Sequence, residues 1–598
     1  MRKANQMKNL TFESRASRID TSLATVKRAS ILLFVLLVIS TLAIGNLLSF
    51  AMPPHPDFED KMRAGVVPVP EHLLNPRLMQ ERGIDRPVLH PQSEIYPTGT
   101  GPVGPYRALV LLARFSDNPS SVNASFFDTL IFANQPKCVH HYYQEVSYGT
   151  LDIVTVDLPS ATDWNTAPQT YAYYVNGQYG LGSYPHNSQR LVEDLVDIVD
   201  PAVNFSDYDN DHDGYVDVLI VIHAGPGAEL TGELNDMWSH AWGVTWSWST
   251  SNLKDGVRIW DYTVEPEYWL SPYDMTLGVY CHELGHVFGL PDLYDYGYDS
   301  YGVGVWSLMS YGSWNGSYGD SPAHPDVYCM TKLGYVTPTV VVSNTSGAKI
   351  PAIENSPVAY QLWTPGSPAN EYFLVANSRK VGYDSALPYA GLLIWHVDES
   401  ISDYGANDHQ WYPGYSSYGH YKVALEQADG LWQLEKKLSY GNSGDPYPGN
   451  LIQRTFDGAT TPNSNGYGGT ETYVAVTNVS NSNDTMTADF TVRPADVKDE
   501  LTENSPSDYI LRQNYPNPFN PQTQIEYFIP RGGHIKLEIF NVLGEKVKIL
   551  IEGQQPRGAH QVSWDGTNEQ GRPVSNGIYF YQLSTENFEK TNQMILLK

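Results

Sequence analysis

The sequence predicts an α+β domain, then a β-rich extension, then a small C-terminal β-sandwich. Three patterns in the 598 residues point there. Apolar runs of strand length alternate with helical periodicity up to residue 337. From 338 to 493 short strands are punctuated by Gly, Pro and Asn. Period-two alternation with turn signals then fills residues 509–598. A chain of this length exceeds one core, and its 41% hydrophobic and 17% charged residues belong to a folded chain, not a disordered one.

Taken in order, residues 31–44 (ILLFVLLVISTLAI) follow the basic pair Lys27-Arg28 and precede Ser49-Phe50-Ala51. This is the layout of a signal peptide over 1–51. The uncharged stretch Ile31 to Ala51 is also long enough for an uncleaved anchor, and the small residues before Met52 favour cleavage. No second run of that length follows, which excludes a multi-span membrane protein. Residues 52–103 are rich in Pro and charge and show no sustained period, so they read as a propeptide-like segment. The α+β domain, 104–337, opens with a strand at Ala108–Ala113, has helical patterning over Ser188–Val199 and a second buried strand at Val216–Ile222. In the extension, Tyr372–Val375 and Gly391–His396 are further strands. His396-Val397-Asp398-Glu399 ends the second of these and receives no role. Residues 494–508 are polar and acidic, a linker. Beyond it, Ile525–Ile529 and Ile535–Ile539 alternate as sandwich strands.

The charge is 37 basic against 66 acidic side chains, net −29, and 21 basic and 56 acidic residues fall between 52 and 508. Such a field repels phosphate backbones, so no nucleic-acid partner is expected, and the carboxylates serve either to bind cations such as calcium or for solubility alone. Three cysteines, Cys138, Cys281 and Cys329, make no disulfide framework; one bridge at most is available, with Cys281–Cys329 the pair considered. The aromatic cluster Trp238, Trp242, Trp246 and Trp248 reads as packing, with a substrate-cleft lining or a sugar-binding face as the alternatives.

The chemistry concentrates in Cys281-His282-Glu283-Leu284-Gly285-His286-Val287-Phe288-Gly289-Leu290-Pro291-Asp292. Residues four apart share a helix face, so His282 and His286 can direct their imidazoles at one zinc while Glu283 stands beside a metal-bound water. Asp274 or Ser271 is the expected cap of that helix. Gly289 lets the chain leave it sharply and return Asp292 as a third ligand, with Asp295 the nearest rival. Three protein ligands leave zinc an open position, and Glu283 is the expected general base of a hydrolysis.

Met309 and Tyr311, in Ser307-Leu308-Met309-Ser310-Tyr311, resemble the Met-turn of metzincin peptidases. That resemblance implies a metzincin-like catalytic domain, with Met309 beneath the histidines and Tyr311 approaching the zinc or the tetrahedral oxyanion. HELGHVFGLPDLYD, WSLMSYGSW and EYFLVANSRKVGYDSALPYAGLLIWHVDES together resemble the immune inhibitor A family of secreted zinc metallopeptidases over residues 104–490. HxxGLPD is similar to snapalysin, where an aspartate at the position of Asp292 binds zinc. The resemblance implies an endopeptidase with protein or peptide substrates. The alternative from another class is a catalytically silent, surface-displayed binding or adhesion protein, against which intact Glu283 argues.

Asp209, Asp211 and Asp213 alternate ahead of Gly214, with the Tyr215 carbonyl and Asp217 continuing the spacing of a calcium loop. Ile220 stands where an EF-hand has its closing glutamate, so a shorter calcium loop is expected. The tail, with Asn514-Tyr515-Pro516-Asn517-Pro518-Phe519 and Ser575-Asn576-Gly577-Ile578-Tyr579, resembles the type A C-terminal sorting domain of the type IX secretion system, related to the immunoglobulin-like domain of hook-capping proteins. It implies the type IX machinery as partner and a destination outside the cell or on its outer surface.

Overall fold

The structure is a computed structural model describing residues 52–70, 99, 101–363, 370–403, 405–415, 419–492, 509–514, 517, 519–556, 558–585 and 588–597. The expected signal segment and linker lie outside the described residues. Among the described residues no helix is long and apolar enough to cross a membrane.

A five-stranded sheet organises the first domain. Its strands are β1 (Leu109–Arg114), β2 (Trp164–Thr166), β3 (Leu219–Pro226), β4 (His240–Gly243) and β5 (Asp261–Tyr268), in the order β2-β1-β3-β5-β4. All pairs are parallel except β5 with the edge strand β4. A parallel strand covered on both faces must be apolar throughout, and Leu109 to Ala113 are all buried. The helices include α1 (Pro56–Arg63), α2 (Val139–Val146), α3 (Ser188–Val199) and α4 (Gly278–Val287). α3 has the bounds its periodicity predicts, is capped by Asn187 and buries Leu191, Val192, Leu195, Val196 and Val199.

Three expectations need correction. The strand expected from Val216 begins at Leu219, because the preceding residues are held by the acidic loop: Asp217 donates its N–H to Tyr208 O and its carboxylate accepts from Asn210 N. Neither Asp274 nor Ser271 caps α4, whose cap position is Leu277 without a side-chain bond. Asp274 instead accepts the N–H groups of Trp269, Leu270 and Ser271, closing the preceding turn. The helix starts at Gly278 under steric pressure, since a Cβ there would fall 2.1 Å from Ser313 O. Lastly, Cys281 and Cys329 are not bridged; all three cysteines are free and buried, and burial pushes the Cys281 and Cys329 thiols well up.

The extension carries a five-stranded sheet containing β6 (Glu371–Ser378), β7 (Gly391–Asp398) and β8 (Val423–Leu425). Side chains alternate across it. Leu374, Ala376, Leu393, Trp395 and Val397 enter the main core of the first domain, so apolar packing runs unbroken past residue 337. Phe373, Val375, Leu392 and Ile394 face the other way, onto Ile350, Met486 and Phe490 of a three-stranded sheet. The C-terminal unit has a three-stranded and a four-stranded sheet around their own core of Ile525, Tyr527, Leu537, Ile539 and Trp564. Its alternating strands run Thr523–Ile529 and Gly533–Asn541, as the pattern predicts.

Candidate metal centre

α4 sits in the core, and its spacing of four stacks His282 and His286 on one face. Each ring is oriented by a carbonyl: His282 Nδ1 donates to Leu308 O at 2.9 Å, His286 Nδ1 to Leu290 O at 3.0 Å. A carbonyl only accepts, so both Nδ1 atoms carry the proton and both Nε2 atoms keep a lone pair. The two Nε2 atoms lie 3.3 Å apart.

Gly289, at φ +89°, ends the helix in the left-handed region and turns the chain back. Asp292 returns with Oδ1 at 3.1 Å from His282 Nε2 and 3.5 Å from His286 Nε2. Tyr296 holds the other oxygen, donating to Oδ2 at 3.0 Å. Burial pushes the Asp292 carboxyl up, and His286 and His282, when their rings are protonated, outweigh it and bring it below the usual carboxylate range. The rival, Asp295, points elsewhere, accepting from Gly297 N and Ser300 Oγ at 2.7 Å each.

These three residues fit a divalent metal ion. They are fully buried, their ligand atoms lie within 4.8 Å of one another, and Asp292 Oδ1 accepts no hydrogen bond among the described residues. Three acceptors turned on one point repel unless a cation joins them. Donors on a tetrahedron about 2.0–2.1 Å from zinc lie about 3.3–3.4 Å apart, close to the separations here.

Glu283 is next on the helix. Both its oxygens are buried and accept no hydrogen bond among the described residues. Burial is the main cause that pushes its carboxyl up to about 8, opposed by His282, reinforced by Asp292 and Glu229, and eased by the Met52 N–H nearby. Met309 is fully buried, and a methyl on Gly285 would fall 2.6 Å from its Sδ, so the methionine lies against α4 between the histidines.

Tyr311 is placed differently from the expectation. Its buried hydroxyl donates to Glu59 at 2.7 Å, and Glu59 belongs to an arm, residues 52–63, that the sequence did not connect to the site. Trp238 Nε1 donates to Met52 O at 2.8 Å, Met52 N to Ser239 O at 3.3 Å, and Trp314 Nε1 to Pro53 O at 2.9 Å. Phe58 packs near Trp238, and Glu59 also receives Tyr440 Oη at 3.0 Å and Lys437 Nζ at 2.6 Å. The available signal was Phe58 and Met62, apolar and four apart in a polar segment. Trp238, read as packing, therefore also clamps this arm.

In the acidic loop, Asp209, Asp211 and Asp217 bring carboxylate oxygens within 4.8 Å of one another. Asp213 stands apart from that group and accepts from Tyr215 N at 2.9 Å. Burial, with Asp211 and Asp213, pushes Asp217 up to about 7 against the Asn210 bonds.

The fold and site define a mixed α/β chain in which residues 114–328 match the immune inhibitor A peptidase M6 catalytic domain and residues 527–588 the FlgD Ig-like domain. Over 269 residues the chain is 31% identical to Immune inhibitor A of Bacillus thuringiensis subsp. alesti, covering 36% of this chain and 37% of that protein. Over 203 residues it is 30% identical to Pre-pro-metalloprotease PrtV of Vibrio cholerae serotype O1 (strain M66-2), covering 30% and 22%. The chain thus spans well under half the length of either relative. Among solved structures, FlgD from P. aeruginosa matches at 23% identity over 12% of this chain and 60% of that one, at a TM-score of 0.11, too slight to bear on the fold.

Proposed function

We propose that the protein is a secreted zinc-dependent endopeptidase with a metzincin-like catalytic domain, in which His282, His286 and Asp292 hold the metal and Glu283 is the general base. The observation that carries the reading is the buried convergence of two imidazole Nε2 atoms and one carboxylate oxygen beside an unbonded glutamate. A zinc ion at that point supplies Lewis acidity and an activated water. Everything else falls to the chain. Leu308 O and Leu290 O fix the tautomers, Tyr296 orients Asp292, and Met309 buttresses the helix turn that spaces the histidines. Glu283, buried beside the histidines, would take the proton from the attacking water and return it to the leaving amine once a bound cation offsets the burial that raises its carboxyl. The peptidase M6 match and the two metalloprotease relatives support the same reading.

The arm adds a second element. Met52 runs beside Ser239, at the entry to the edge strand β4, and next to Glu283, where an extended substrate would lie. We read this as a closed form, in which Glu59 also occupies the Tyr311 hydroxyl. The acidic loop is a calcium site formed by Asp209, Asp211 and Asp217, and the C-terminal unit is a type IX sorting domain that directs the protein out of the cell. The FlgD Ig-like match supports the architecture of that unit.

The test is casein cleavage by the purified chain and by Glu283→Ala, each with zinc content measured and with and without chelator. Zinc in both proteins, with chelator-sensitive cleavage only in the unmutated one, is expected. Zinc in both and cleavage in neither, also after the arm is released by Glu59→Ala, would instead favour the binding-protein alternative.

A further inference from the structure

On the extension, well outside the metal centre, a cavity of about 150 Å³ opens over β7 and β8. One wall, at His396 and Tyr467, belongs to a stack of three rings. The His396 imidazole lies flat on Tyr467 (centroids 4.2 Å, 8° between planes), and His420 covers the opposite face of the phenol (3.7 Å, 17°). Carboxylates pin both imidazoles: His396 bridges Glu371 and Glu426 at 3.0 Å each, and His420 meets Asp398 at 2.8 Å. Trp411 stands edge-on to Tyr467 at 6.2 Å and lines the cavity while 39% exposed. Nothing in peptide hydrolysis uses this arrangement, and a rigid aromatic wall beside convergent polar groups is how small-ligand sites are built.

We propose that this cavity binds a single neutral sugar ring. Charge excludes an anion. Glu371 and Glu426 flank the single His396 imidazole at 3.0 Å each, and burial pushes the Glu435 carboxyl up to about 8. An anion meets this ring of acidic groups, and an ammonium or guanidinium, for which one carboxylate of the pair stands in excess, is the rival that the lysine probe below tests. A polyhydroxylated ring needs donors and acceptors side by side, with an apolar face for its C–H groups. Glu426 and Glu435 supply polar oxygens. Asn463 Oδ1 is occupied by Asn465 N–H at 3.0 Å, which leaves its amide NH₂ as a donor. Trp411 supplies the flat apolar face. The volume suits one pyranose and is too small for a folded peptide segment. The site stands independently of the peptidase reading, since none of its residues touches the metal centre.

Saturation-transfer NMR on the full chain tests this with methyl glycosides of glucose, galactose, mannose and N-acetylglucosamine, and with Nα-acetyl-lysine methylamide as the cationic probe. At least one glycoside is expected to receive saturation at its ring protons. That signal should fall at least about tenfold in Trp411→Ala and in Asn463→Ala, return in part in Trp411→Phe, and persist in Glu283→Gln. Unchanged melting of Trp411→Ala guards against misfolding. No transfer to any glycoside, transfer indifferent to Trp411→Ala, or transfer to the lysine probe alone overturns the proposal.

Discussion

Glu283 and Asp292 are buried carboxylates nine positions apart, and their neighbours set them to different tasks. Asp292 converges with two imidazole nitrogens on one point that suits a cation, whereas Glu283 is buried beside them with Met52 close by. Glu283→Gln keeps the shape and removes the proton acceptor, so cleavage should fall about 10²–10⁴-fold with zinc content unchanged, as activity and metal assays on one preparation will tell. Gly285 lies against Met309 Sδ, so Gly285→Ala should cost about 1–3 kcal/mol in denaturant unfolding through overpacking under the metal site. The histidine pair was legible in the sequence because helical spacing alone determines it. Asp292 was legible because Gly289 permits the turn, but only tertiary packing separates it from Asp295, which is drawn to Gly297 and Ser300.

Among the elements, α1 and the residues before it had no sustained period to announce their docking. Their anchors are single donors far away in sequence: Trp238 for Met52, Trp314 for Pro53, Tyr311 and Tyr440 for Glu59. If the arm closes the site, Glu59→Ala weakens its hold and frees Tyr311. The variant should cleave casein faster than the unmutated chain from the first time point; equal or slower initial rates would contradict the closed form. The spacing of the acidic loop groups Asp209, Asp211, Asp213, Tyr215 and Asp217; the structure brings the carboxylates of Asp209, Asp211 and Asp217 together, while Asp213 accepts the Tyr215 N–H. Added calcium should raise the melting temperature of the chain, and Asp211→Asn should abolish that rise. A shift equal in both proteins would remove the loop from consideration.

Across the whole molecule, α2, the segment after Met309 and the extension meet at His324. Its Nε2 lies 2.9 Å from Glu145 and its Nδ1 3.9 Å from Asp384, with Glu354 close by. Burial lowers its proton affinity, but Asp384, Glu145 and Glu354 prevail and raise it to about 9. A histidine raised from its unfolded value of about 6.5 contributes stability that is fully present below pH 6.5 and is lost as pH rises through 9. Glu354, raised by burial and Asp384 to about 8, changes stability in the same direction as pH rises. Melting temperature should therefore decline between pH 6.5 and 9, and His324→Gln should flatten that decline. The sequence showed the class of each region because hydrophobic period reports local geometry. The core shared across residue 337 escaped it, since that depends on which face of β6 and β7 meets the first domain.

The central claim is that His282, His286 and Asp292 hold zinc. X-ray absorption at the zinc edge of the purified chain tests it most directly. One zinc per chain with nitrogen and oxygen donors at about 2.0–2.2 Å, lost on Asp292→Ala or His286→Ala, is the expected result. A chain without zinc, or a zinc with sulfur donors at about 2.3 Å, would contradict it.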